Sequence, residues 1–271
     1  MTTGTPRCNE NADNIADTTE TTETTETADT IETGTLSVPT PDGTADAFAA
    51  FPAGGGPYPG ILMYPDGLGI RPVLREMAQE LAGHGYYVLV PNVFYRHGPT
   101  PVIDLPDHIG AAERPQIMGQ VMPLIEALDA ERVRADAEAY LRFLADRPQV
   151  SAGPVGVTGY CFGGLLAVRT AVAYPQRVAA LAAFHAPVAA DGTAPLAAIT
   201  APIHFGHAAS DLTPAALTDL NAALTEANLD HTSEIYPDTE HGFTMSDTDA
   251  FSEPGLKQHW DRLLPLLERA F

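Results

Sequence analysis

The sequence predicts an α/β fold, a mostly parallel, doubly wound sheet with an N-terminal hairpin. Three observations carry this expectation. Short apolar runs such as Gly60–Tyr64 recur along the chain between glycines and prolines, as strands buried on both faces do. Between them lie segments whose apolar residues repeat every three to four positions, the mark of amphipathic helices. Their alternation implies βαβ units joined by crossovers.

Each element has its own local reason. Residues 1–33 are rich in Thr, Glu, Asp and Ala, include the run TTETTETADT, and almost lack large apolar side chains. Such a segment cannot bury enough surface to offset its chain entropy, so a disordered tail is expected there and a single domain over 34–271. Thr35–Thr40 and Thr44–Phe51 flank the turn residues Pro41, Asp42 and Gly43 and read as a hairpin. Gly60–Tyr64 is the next strand. Pro72 opens a helix marked by Leu74, Met77, Ala78 and Leu81, which Gly83 and Gly85 close. Tyr86–Val90 is again a strand.

Residues 97–128 carry prolines at 99, 101, 106, 115 and 123 and read as irregular, either a short cap helix or a pocket-lining loop. Val133, Ala137, Tyr140, Leu141 and Leu144 mark a further helix. A strand at 154–158, a glycine-rich turn at 159–164 and a helix to about Tyr174 follow. Strands at 179–184, 202–206 and 232–236, with helices near 214–227 and 254–270, complete the chain.

Composition narrows the function classes. The 271 residues suit one domain, and 45% apolar content supports a sizeable core. Thirty-five acidic residues face 14 basic ones, a net charge of −21, which disfavours nucleic acid and anionic membrane as partners. The two cysteines, Cys8 and Cys161, form neither a disulfide framework nor a zinc pattern. A lone internal thiol fits a reducing compartment, and no apolar leader or membrane-length run is visible, so a cytoplasmic protein is expected. No P-loop or G-x-G-x-x-G opens a βαβ unit, and no cofactor is indicated. His204 and His207 lie three apart on a strand and point to opposite sides, which does not suit a shared metal.

Ligands of such sheets bind beyond the carboxyl ends of the strands, so residues directly after strands matter most. Gly159-Tyr160-Cys161-Phe162-Gly163-Gly164 lies between a strand and a helix. It matches the nucleophile-elbow pattern G-x-nucleophile-x-G, with cysteine in the central place. The helix that follows aims its positive end at the sulfur and favours negative charge there. A buried structural cysteine in an ordinary turn is the plainer alternative. Asp211 follows the strand at 202–206, and on its own it reads equally as the N-cap of the next helix. His241 follows the strand at 232–236, and alone it reads as a solvated loop histidine. Together the order Cys161, Asp211, His241 is the nucleophile–acid–base order of the α/β-hydrolase fold.

At this point the chain resembles the dienelactone hydrolase family over residues 34–271. The resemblance is carried by ILMYPDGLGIRP, YYVLVPNVFYR, GPVGVTGYCFGG, PIHFGHAASD and EHGF. It implies a triad of Cys161, His241 and Asp211, and an oxyanion hole made by the backbone N–H groups of Phe162 and Gly67. The family places a glutamate where Asp66 stands here, in contact with the resting thiol, so Asp66 is expected to modulate Cys161. The family also holds a substrate carboxylate with two arginines. Arg96 matches one, and Met245 occupies the place of the other. Losing one of two clamps points to a less anionic ester than dienelactone. Tyr95, Tyr160, His185 and Phe243 join Arg96 and Met245 as candidate pocket residues, although packed core positions explain the aromatic ones equally well.

The expected activity is therefore hydrolysis of a small-molecule ester or lactone by a monomer or small homo-oligomer. A short-chain esterase, a thioesterase or an acyl transferase on the same scaffold is the nearest rival. A non-catalytic thiol sensor is the rival from another class, but it needs neither the acid nor the base.

Overall fold

The computed structural model describes Met1 and residues 30–271. Most of the expected tail, with Cys8, therefore lies outside the described residues. Its end needs correcting, because Ile31–Thr33 belong to the first strand. That strand, β1 (Ile31–Thr40), pairs antiparallel with β2 (Gly43–Pro52) along its full length, from Ile31 opposite Pro52 to Thr40 opposite Gly43. The ladder hydrogen bonds carry the chain three residues further than composition alone suggests.

The remaining strands are β3 (Gly60–Tyr64), β4 (Tyr87–Pro91), β5 (Val155–Tyr160), β6 (Val178–Phe184), β7 (Ile203–Ala208) and β8 (His231–Tyr236). The eight form one sheet in the order β1-β2-β4-β3-β5-β6-β7-β8. β2 runs antiparallel to β4, and every pair from β4 to β8 is parallel. The winding direction reverses between β3 and β5, which puts the switch-point crevice at their carboxyl ends.

Among the described residues six α-helices flank the sheet, five between strands and one after the last: α1 (Pro72–Gly83), α2 (Arg114–Glu126), α3 (Ala130–Ala145), α4 (Phe162–Ala173), α5 (Pro214–Glu226) and α6 (Glu253–Ala270). α1 and α6 cover one face through Leu74, Met77, Leu81, Leu263 and Leu267. α3, α4 and α5 cover the other through Tyr140, Leu141, Leu166 and Leu224. Alternate residues of β3 serve the two layers, Ile61 and Met63 one side, Leu62 and Tyr64 the other, as the pleat requires. Among the described residues no helix is long and apolar enough to cross a membrane.

The proline-rich stretch holds α2 rather than an irregular loop throughout. Ile117 and Val121 on α2 join Ile103 and Ile109 in a small apolar cluster of their own, with Leu68 and Ile125 packed against it. This cluster roofs the carboxyl ends of β3 and β5.

Candidate active site

Cys161 follows β5 directly and precedes the first residue of α4. Its backbone sits at φ 54°, ψ −123°, a strained setting for a residue with a Cβ. The turn tolerates no side chains beside it. A Cβ on Gly159 would strike the carbonyl of Gly163, and one on Gly163 would strike the carbonyl of Pro65. The backbone N–H of Cys161 donates to the Phe184 carbonyl at 3.0 Å, tying the turn to β6. Cys161 is half-buried and makes no disulfide among the described residues.

His241 lies in the loop after β8 and its Nδ1–H donates to Asp211 Oδ2 at 2.7 Å. Asp211 is not the cap of α5. Thr213 caps that helix by accepting from the Ala216 N–H at 3.2 Å, which leaves the Asp211 carboxylate free for the imidazole. Ser210 secures the arrangement: its Oγ accepts from the His241 backbone N–H at 2.9 Å and donates to Asp211 Oδ1 at 3.3 Å. Burial opposes a charge on His241, but the hydrogen bond to Asp211 and the neighbouring Cys161 outweigh it and push the imidazole up to about 10.

Two cavities meet at this point. A groove of about 1070 Å³ runs from Cys161 along Leu165, Val188, Leu212 and Leu220. A chamber of about 140 Å³ lies under α2, bounded by Gly67, Ile109, Ile117, Met118 and Met245. Ile125, Cys161, His185 and His241 border both. Gly67 follows β3, and its space is closed by α2, where an added Cβ would come within 3.2 Å of Val121 and 3.3 Å of Ile125. The N–H groups of Gly67 and Phe162 have no protein acceptor among the described residues. The Phe162 ring stacks on Phe94 with centroids 6.2 Å apart, which holds the start of α4.

His185, fully buried with φ 39°, stands edge-on to His241 at 5.3 Å and is bound to the Thr244 hydroxyl at 2.8 Å. Burial pushes its imidazole well below the ordinary value, with His241 adding to the effect. It therefore enters the wall of both cavities as a neutral group. Met245 is 1% exposed and lines the small chamber.

Other expected residues are engaged elsewhere. The Asp66 carboxylate lines the small chamber with Cys161, but its hydrogen bonds go to other partners. Arg71 takes both of its oxygens, at 2.7 and 3.0 Å, and the Leu68 N–H donates to Oδ1 at 3.0 Å. Arg96 is not at the pocket: it forks onto Asp136 at 2.7 and 2.9 Å and reaches Asp42 at 2.8 Å. Tyr95 donates to the same Asp136 and packs in the core. Tyr160 is fully buried and bound to His259 Nε2 at 3.0 Å, because a strand residue before the elbow faces the α6 layer. Phe243 sits behind His185, with centroids 5.1 Å apart, and borders neither cavity. His204 and His207 bond separately, to Tyr236 and Ser233 respectively. Among the described residues no cluster of three or more His, Cys, Asp or Glu side chains is placed to hold a metal ion.

Residue-level reading of the sequence missed Ser210, Arg71 and Ile125. Ser210 adjoins Asp211 and was open to inspection. The other two act through contacts with distant parts of the chain, which no spacing rule reveals.

Comparison with known proteins bears on this site. A profile of the dienelactone hydrolase family matches residues 45–271. A Methylorubrum extorquens protein provisionally named a carboxymethylenebutenolidase is 26% identical over 244 residues, spanning 85% of this chain and 78% of its own. A carboxymethylenebutenolidase of Pseudomonas putida is 33% identical over 133 residues, 49% of this chain and 52% of its own. A crystal structure from Klebsiella pneumoniae, provisionally named a dienelactone hydrolase, superposes with a TM-score of 0.75 at 22% identity, over 89% of this chain and 99% of that one. At that identity the superposition speaks for the fold alone.

Proposed function

The chain belongs to the dienelactone hydrolase family and is a hydrolase, and from that premise we propose that it cleaves carboxylic esters or lactones through Cys161, His241 and Asp211. The observation that carries the reading is the 2.7 Å bond from Asp211 to an imidazole that stands beside the sulfur where two cavities meet. An imidazole pushed up to about 10 holds its proton at neutral pH, and a protonated imidazole beside a sulfur favours its attack as thiolate.

The sulfur attacks the carbonyl carbon, and the electron pair of the C=O moves onto oxygen. The N–H groups of Gly67 and Phe162, which have no protein acceptor among the described residues, receive that oxyanion. Collapse expels the alkoxide, and the imidazolium gives it the proton. Acylation removes the charge from sulfur. Two of the influences raising His241 come from Cys161, so both lapse, and the imidazole that has given up its proton stays neutral and free to accept one from water. Water then attacks the thioester and restores the sulfur. Asp211 keeps the productive tautomer throughout.

The substrate is uncharged around the scissile bond. Met245, Ile117, Met118 and Ile109 line the small chamber, with Asp66 and the exposed Arg114 also on its wall, and Arg96 is neutralised by Asp136 and Asp42. A carboxylate placed in that chamber would lose hydration beside the Asp66 carboxylate, with one exposed arginine, Arg114, and no pair of clamps to compensate. Neutral aryl or alkyl esters and lactones fit better.

Replacing Cys161 by Ala tests the reading. Hydrolysis of p-nitrophenyl acetate should fall to the buffer rate, with the circular dichroism unchanged. Turnover by Cys161→Ala at the rate of the original chain would discard the mechanism.

A further inference from the structure

Arg71 stands at the start of α1, and its side chain is 7% exposed. Nη1 donates to Asp66 Oδ1 at 2.7 Å and to the Gly69 carbonyl at 3.3 Å. Nη2 donates to Asp66 Oδ2 at 3.0 Å and to Asp247 Oδ1 at 3.2 Å. Nε donates to Asp247 Oδ2 at 2.6 Å. A guanidinium carries five N–H donors, so every one is engaged.

The two aspartates belong to the two loops the reaction needs. Asp66 immediately precedes Gly67. Asp247 lies in the loop that begins at His241, and successive turns stitch that loop together: Phe243 N–H to Glu240 at 3.1 Å, Met245 N–H to Gly242 at 2.9 Å, Thr248 N–H to Met245 at 3.1 Å. The Asp247 carbonyl also accepts from the Ile109 N–H at 2.8 Å, which brings in the segment that roofs the small chamber. Arg71 itself is anchored, since its carbonyl accepts from Leu74 and Arg75 in the first turn of α1 at 3.1 and 3.2 Å.

We infer that Arg71 is a positioning residue for ester hydrolysis, holding Asp66 and Asp247 on one guanidinium so that the Gly67 N–H and the His241 imidazole stay in register over Cys161. The inference rests on the function proposed above. Two bidentate pairs fix direction as well as distance, and a planar fork does this where a flexible ammonium does not. A buried ion pair is a weak argument for stability, because well-packed apolar residues often replace one without loss. Its geometry has no such substitute. A donor displaced by a fraction of an ångström no longer meets the oxyanion.

The test compares Arg71→Lys and Arg71→Gln in the full chain, by p-nitrophenyl acetate turnover and by alkylation of Cys161 with iodoacetamide. Arg71→Gln should lower kcat by about a hundredfold with KM within about twofold, because the loss falls on transition-state geometry. Arg71→Lys retains a charge between the two carboxylates and stays folded where the glutamine variant does not, and its kcat should fall about tenfold. Alkylation depends on the imidazole beside the sulfur but needs no oxyanion, so in a folded variant its rate should fall by a smaller factor than kcat does. Folded variants with kcat of the original chain, or losses in kcat matched by equal rises in KM, would overturn the positioning role. That result would leave Cys161-dependent hydrolysis standing. If the original chain itself shows no turnover that Cys161→Ala removes, the proposed function and this inference fall together.

Discussion

A proton's place decides the chemistry at the scale of single residues. Asp211 accepts from Nδ1 of His241 and so commits the other ring nitrogen to the sulfur side. Asp211→Asn keeps the shape but offers the wrong hydrogen-bonding partner, and kcat should fall by roughly 10³- to 10⁴-fold. The pH profile should move as well. His241 is raised by Asp211 and Cys161 against the opposing effect of burial. The folded chain thus holds this proton up to about pH 10, and activity that needs it is lost on the alkaline side of that point. Removing the Asp211 charge should shift the alkaline limb of kcat/KM to lower pH, measured with a neutral ester. An unmoved limb would separate Asp211 from the proton chemistry. The three triad candidates were legible because each follows a strand in a fixed chain order. The partners that hold Asp66 and Arg96 were not legible, for a common reason. Each meets its partner through folding, Asp66 at Arg71 and Arg96 at Asp136, and a matching sequence position says nothing about which way a charged side chain turns.

Among the elements, strands and flanking helices were the easiest to read. β3 is five consecutive buried residues with glycine at its start, and α1 shows Leu74, Met77, Ala78 and Leu81 on one buried stripe. α2 was obscured by its prolines. Pro115 sits in its first turn and Pro123 inside it, and proline is normally read as a helix breaker. The pattern Ile117, Val121, Ile125 at spacings of four was nonetheless present. That helix matters for selectivity, since Ile125 is shared by the groove and the chamber. Ile125→Ala should join them. The ratio of kcat/KM for p-nitrophenyl hexanoate over acetate should then rise, by about tenfold if one extra buried methylene or two is accommodated. An unchanged ratio would show that Ile125 does not partition substrate.

For the whole molecule, acid sensitivity follows from its buried histidines. His185, His204, His207 and His259 are each at most 3% exposed. Burial lowers all four, His204 and His207 to about 4 and His259 to about 3. Unfolding restores their ordinary affinity, so below about pH 6.5 the unfolded chain binds more protons than the folded one. Stability from these groups is complete above that value and declines as the pH falls toward 4. The melting midpoint should be lower at pH 5 than at pH 7, and His259→Gln, which can still meet the Tyr160 hydroxyl, should narrow the difference. Equal midpoints at the two pH values in the original chain would rule this out.

Gly163 rests directly on the carbonyl of Pro65, with no room for a methyl group between them. The turn bearing the sulfur and the strand end leading to Gly67 are therefore mechanically a single body, braced by the middle of the sheet. Warming cannot loosen one against the other without melting that middle. The cap over the chamber is tied to the loop after β8 through Ile109 and Ala111 rather than to the middle of the sheet, so heat should first blur which acyl chains the chamber admits and extinguish turnover only when the sheet itself gives way.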